Sequence, residues 1–175
     1  MISDKMAKEI NNQIREELYS SYLYLQMSAC ATHMGLAGTA NWFMVQTQEE
    51  LAHTRIFYNY LCSQNQKVQL QAIDQPPMKF KTALEMFQAA LKHENHVTAR
   101  INFLSDLAVT EKDHASRIFL QWFVSEQVEE EENATEIIGK LKLTGSEGSG
   151  LFMIDQELAT RVFKMPAPLA PAGAA

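Results

Sequence analysis

Glu50 and His53 stand three residues apart, so on a helix a carboxylate and an imidazole leave the same face one turn from each other. The pair could chelate an ion. It lies inside a stripe that reads Phe43, Gln46, Glu50, His53, Phe57, Tyr60 at three- and four-residue steps. Three further stripes are interrupted in the same way. One reads Ile10, Ile14, Glu17, Ser21, Tyr24, Ser28; another Leu84, Phe87, Leu91, Glu94, Thr98, Ile101; the last Leu120, Phe123, Gln127, Glu130, Ala134, Ile137, Leu141. A buried carboxylate is costly unless it is paired or bound to a metal, and four that converge repel one another. No Lys or Arg occupies a stripe position. A multivalent cation removes the conflict. Ligation rich in oxygen with a single imidazole nitrogen suits iron or manganese, whereas zinc is more often held by Cys and His.

The elements that must position these groups follow from the same periodicity. It predicts helices over residues 3–33, 39–65, 82–110 and 114–143, with a short fifth over 151–164. Ser3 or Asp4 caps the first, Gly35 and Gly38 stop it, and Thr82 with Glu85 opens the third. Short breaks join the first to the second and the third to the fourth, so each pair is an antiparallel hairpin. The connection from 66 to 81 contains Pro76-Pro77 and spans about 50 Å when extended, enough to run the length of the bundle. The predicted fold is therefore all-α: an up-up-down-down four-helix bundle with a long second-to-third crossover and a short fifth helix. With about 1.5 Å per residue, Glu17, Glu50, His53, Glu94, Gln127 and Glu130 fall within about two turns of one level. The fifth helix needs a surface for Leu151, Phe152, Ile154, Leu158 and Val162, and a neighbouring subunit is a candidate.

Length and composition set outer limits. The 175 residues suit one domain over 1–165, followed by a Pro/Ala-rich tail, 166–175, that has no periodicity and is expected to be mobile. Seven glycines and five prolines are too few for the turns of an all-β sandwich. A net charge of −6 argues against nucleic acid. No apolar run approaches the roughly 18 residues of a membrane span. The N-terminal residues lack the apolar centre of a signal peptide, and Cys30 and Cys62 read as reduced core residues, so a cytoplasmic location is expected. His93 and His96 flank Glu94 off its inward face and read as surface or inter-subunit residues. Glu131 and Glu132 read as a solvated helix face and Trp122 as packing. Tyr24 lies two turns from Glu17 on one face, as core or as a redox neighbour.

Di-iron carboxylate bundles place one Glu on each of two helices and Glu-x-x-His on each of the other two. Here that pattern serves as a template, and the fourth helix departs from it with Gln127-x-x-Glu130. The motifs Glu17 with Tyr24, Glu49-Glu50-Leu51-Ala52-His53, Glu94, and Glu126-Gln127-x-Glu129-Glu130 resemble the ferritins, specifically the non-haem ferritins of prokaryotes, over about residues 3–164. The resemblance implies that Glu17, Glu50 and His53 hold one iron of a ferroxidase centre, and that Glu94, Gln127, Glu130 and the shared Glu50 hold the second. It further implies a third iron site at Glu49, Glu126, Glu129 and Glu130, with Tyr24 beside the centre. The same resemblance implies an iron-storage protein. Fe(II) would be oxidised with dioxygen or hydrogen peroxide and kept as ferric oxyhydroxide in a homo-oligomeric shell of 24 subunits. No haem is expected, since Leu51 stands where a bacterioferritin has its haem-binding methionine.

Two other readings use the residues differently. A di-metal oxidase of a small substrate, or a manganese enzyme, would need an apolar substrate pocket and no fifth helix. A non-catalytic helical interaction module would leave the aligned polar groups unexplained and would carry a signal peptide.

Overall fold

The apolar stripes do form four long helices: α1 (Asp4–His33), α2 (Ala37–Ser63), α3 (Ala83–Thr110) and α4 (His114–Thr144). A fifth, α5 (Gly148–Leu158), and a 3-10 turn at Ala167–Leu169 follow. The structure, a computed structural model, describes residues 2–145 and 148–170, and no strand occurs among them. None of the helices is long and apolar enough to cross a membrane.

Each start and stop has a local cause. Ser3 accepts a hydrogen bond from the Met6 amide, Thr82 from that of Glu85 and Asp113 from that of Ser116, which satisfies first-turn donors of α1, α3 and α4. Gly35 takes φ +77° just past α1, and Leu36 N–H returns to the Ala31 carbonyl. The start of α2 has no side-chain cap of its own. Asp155 of α5 supplies it from 116 residues away: its carboxylate accepts from the Gly38 amide (2.9 Å), the Thr39 amide (2.7 Å) and the Thr39 hydroxyl (2.8 Å). Gly38 permits this approach, since a Cβ there would lie 1.6 Å from the Asp155 carbonyl oxygen.

Side-chain pairs set the directions. Ser21 and Ser28 reach the carbonyls of Thr47 and Ala40, so α1 and α2 are antiparallel. Arg100 with Glu9 and His93 with Ser20 make α3 antiparallel to α1. Gln46 with Glu130 and Tyr60 with Ser116 make α4 antiparallel to α2. Helices α2 and α3 are therefore parallel, as the long crossover requires, and the four directions run up-down-down-up. The expected up-up-down-down order is corrected, because one long crossover between two antiparallel hairpins reverses only the second half. That crossover lies along α1, tied by Asn11 to Lys67 and Gln69 near one end and by Cys30 to Met78 near the other.

The core is divided in two. One cluster gathers Met27, Phe43, Met86, Phe87 and Leu141; the other gathers Ile10, Ile14, Phe57, Ile101, Leu104 and Phe123. The polar stripe residues lie between them.

Three local expectations change. The fifth helix ends at Leu158, short of 164, and its apolar residues split: Ile154 and Leu158 are buried on the bundle, while Phe152 and Val162 are exposed. Cys30 is half-buried and Cys62, in the last turn of α2, is exposed, so neither is core. The tail expectation falls partly on 171–175, outside the described residues; within 166–170, Leu169 packs against the second cluster.

Removing the carboxylate of Asp155 leaves three donors without their acceptor. Asp155→Ala should lower stability by about 1–2 kcal/mol, read as a lower denaturant midpoint. An unchanged midpoint would mean that Ile154 and Leu158 alone hold α5.

Candidate metal centre

Each helix brings part of one polar slab to the level between the two apolar clusters. Glu17 comes from α1, Glu50 and His53 from α2, Glu94 from α3, and Gln127 with Glu130 from α4. All six are only 1–5% exposed. Ligand atoms of Glu17, Glu50 and His53 lie within 4.8 Å of one another, the one such group of three found among the described residues. His53 Nδ1 is 3.4 Å from Glu50 Oε2, the distance that the three-residue spacing dictates on one helix face.

The remaining groups are held by neutral donors. Gln13, one turn before Glu17, donates to Glu17 Oε1 at 2.9 Å. Gln46 donates to Glu130 Oε2 at 2.8 Å. Gln127 donates to Glu94 Oε2 at 3.1 Å, and the Tyr24 hydroxyl donates to Glu94 Oε1. Glu17 Oε2 and His53 Nε2 are buried and have no hydrogen-bond partner. A buried carboxylate oxygen or ring nitrogen without a partner is costly in a dry interior, and an ion beside Glu17, Glu50 and the His53 ring would relieve the Glu17 oxygen.

Electrostatics points the same way. Burial, then the charge of Glu50, raises the Glu17 carboxyl well above its ordinary range. Burial, then Glu94 and Glu130, does the same to Glu50. Glu130 is pushed up to about 8 by burial and by Glu94. Glu94 rises through burial, against the opposing pull of the Tyr24 and Gln127 hydrogen bonds. Burial, then Glu94 and Glu50, holds the Tyr24 hydroxyl well above its usual value, so it stays protonated. Glu50 feels Glu17 on one side and Glu94 and Glu130 on the other, so it stands between two halves of the slab. Each half has carboxylates enough for one cation of charge two or more, and the donor set of oxygens with one imidazole fits iron.

The second acidic group is arranged differently. Glu49 and Glu126 are partly buried and Glu129 is exposed. Their charges reach one another: Glu126 and Glu129 both push the Glu49 carboxyl upward, behind burial as the main cause. Glu49 Oε2 is already paired, at 2.5 Å, with Nη2 of Arg161.

Three residues escaped sequence reasoning or were misread. Gln13 sits one turn before Glu17, a spacing that could have flagged it. Arg161 fell inside the over-extended fifth helix. His93 is half-buried, shares a 2.7 Å hydrogen bond with Ser20, and has its pKa lowered to about 4 by burial and then by His96, which is itself exposed. Trp122 packs edge-on against His53 at 5.5 Å, as packing predicts.

The sequence matches the family described as ferritin-like domain over residues 7–144. A bacterial non-heme ferritin of Escherichia coli O6:H1 is 39% identical over 160 residues, covering 91% of this chain and 97% of the relative. One of Bacteroides fragilis is 40% identical over 161 residues, covering 92% and 100%. An open pore ferritin from the archaeon Archaeoglobus fulgidus superposes with a TM-score of 0.91 at 42% identity, over 93% of this chain and 100% of that one. A bundle with this topology, a match across all four long helices and relatives of nearly full length agree: the chain belongs to the ferritin family.

Proposed function

We propose that this protein stores iron. In this reading it oxidises Fe(II) with dioxygen or hydrogen peroxide at the Glu17, Glu50, His53, Glu94, Gln127 and Glu130 centre. It keeps the product as ferric oxyhydroxide inside a shell of 24 copies, and it works without haem, Leu51 standing where a haem-binding methionine would be. The observation that carries the reading is the slab itself: four carboxyl groups, an imidazole and an amide at one level of a bundle, with Glu17 Oε2 and His53 Nε2 left without hydrogen-bond partners. Names of the relatives support iron as the ion.

Two Fe(II) ions give one electron each, so a pair reduces dioxygen to hydrogen peroxide with two protons taken up. The chain's residues make that pairing feasible. Glu50 has a carboxylate with two oxygens between the halves, so it can bind an ion on each side. Gln13 and Gln46 hold Glu17 and Glu130 in place, as neutral donors that add no competing charge. Tyr24 and Gln127 orient Glu94. Glu17, Glu50 and Glu130, raised in the metal-free protein, release protons when Fe(II) binds. Phe57, Phe123 and Trp122 on one side and Phe43 on the other exclude bulk water.

Replacing Glu50 and His53 together by Ala removes the shared carboxylate and the only imidazole. The initial rate of aerobic Fe(II) oxidation should fall by at least about 10-fold, measured by absorbance in stopped flow. Equal rates would refute the assignment.

The raised carboxyls also make a pH prediction. In the fold Glu130 titrates near 8 rather than 4.5, so it retains a proton that the unfolded chain loses. Its contribution to stability is intact below pH 4.5 and is lost as pH rises through about 8. Glutamine has no such charge. Metal-free Glu130→Gln and wild type should therefore melt together near pH 4.5, with the variant more stable by roughly 1–3 kcal/mol above pH 8. A less stable variant at pH 8 would mean that Glu130 supports the fold.

A further inference from the structure

The residues after α5 turn back over α2 and are pinned there by one side chain. Asn41 Nδ2 donates to the carbonyls of Leu158 (3.3 Å), Ala159 (3.3 Å) and Arg161 (2.9 Å). This fixes the backbone at the point where the Arg161 side chain leaves it. The guanidinium then lies 4.4 Å over the Trp42 ring, and its Nη2 donates to Glu49 Oε2 at 2.5 Å. Nη1 is buried and has no acceptor. The pair is about four-fifths buried on both sides, 21% exposed for Arg161 and 18% for Glu49. Arginine does not deprotonate in proteins, so this is a permanent positive charge. It is placed against a carboxylate that also senses Glu126 and Glu129.

A guanidinium held this way does for the acidic group what a bound ion would do. We propose that Arg161 is the built-in counter-cation of the Glu49, Glu126 and Glu129 group, and that it competes with a metal ion for Glu49. The inference rests on the reading of that group, together with Glu130, as a third metal position. An ion coordinated by Glu49 Oε2 takes the lone pairs that Nη2 uses. The ion and the guanidinium also repel at contact distance. Filling the third position through Oε2 therefore displaces Arg161, and with it loosens the segment from 159 onward, whose Leu169 packs on the core. The ion at Glu17, Glu50 and His53 does not meet this competitor, since none of the three has a hydrogen bond or ion pair with Arg161 among the described residues; Glu130, beside the second ion, does feel the Arg161 charge. Arg161 is thus a positioning residue that sets the third ion's affinity and couples its occupancy to the C-terminal segment.

The test uses Zn(II), which is redox-inert, titrated calorimetrically into the metal-free assembled protein. Wild type, Arg161→Gln, Arg161→Lys and Glu129→Ala are compared, with amide hydrogen exchange of residues 159–165 followed at each equivalent. The expected result is a weak site beyond the first two per subunit that Arg161→Gln tightens by about 10-fold or more. Arg161→Lys, which keeps the charge, should stay near wild type, and the ion at Glu17, Glu50 and His53 should bind alike in all three. In wild type the exchange of 159–165 should rise as the weak site fills. Glu129→Ala should lose the weak site. If Glu129→Ala binds as many ions as wild type, the third-position reading falls and this inference with it. If Glu129→Ala loses an ion but Arg161→Gln binds the third no more tightly than wild type, or less tightly, the competition alone is refuted.

Discussion

Four carboxyl groups, Glu17, Glu50, Glu94 and Glu130, share one cross-section of a bundle walled by Phe43, Phe57, Phe87 and Phe123, and no Lys or Arg contacts any of them among the described hydrogen bonds and ion pairs. Burying one carboxylate in such surroundings costs several kcal/mol unless it is compensated. The metal-free protein compensates with protons and amides: Glu17, Glu50 and Glu130 are pushed toward their neutral forms, and Gln13, Gln46 and Gln127 donate where a cation would otherwise stand. Both devices are neutral. They tolerate the arrangement without filling it, and they leave Glu17 Oε2 and His53 Nε2 without partners. The fold thus carries a cost that a multivalent ion can remove.

The rest of the structure serves that constraint. A polar slab would weaken any single core, so the apolar residues form two clusters, one above and one below it. Four helices can bring these groups to one level only if their lengths and directions agree. The hairpins at 34–36 and 111–113 and the crossover along α1 impose those directions. The start of α2 is fixed from outside by Asp155, which ties α5 to the helix that carries both Glu50 and His53. Beyond α5, Asn41 and Arg161 continue the same attachment as far as Glu49.

Much of this was legible in the residues because two signals coincide. Apolar periodicity marks the helices, and an acid that breaks a stripe is visible against it; Glu17, Glu50, Glu94 and Glu130 were found that way and are all buried. What stayed hidden depends on distance in space. Asp155 looks like the polar face of a short helix, and only its approach to Gly38 shows it to be a cap. His93 lies off the inward stripe of α3 and is half-buried where α1 offers Ser20 at that level. Arg161 continues the helical pattern past Leu158, where the chain in fact turns away. Cys62 sits in the last turn of α2, beyond the reach of its neighbours, and is exposed despite its apolar character.

The central claim is that the slab binds two ions that share Glu50. The most direct measurement is anomalous diffraction at the iron edge from crystals soaked anaerobically with Fe(II). The account predicts two strong peaks per subunit, one bounded by Glu17, Glu50 and His53, the other by Glu50, Glu94 and Glu130 with Gln127 beside it. Iron found only on exposed acids such as Glu129 or Glu132, with the slab empty, would contradict it.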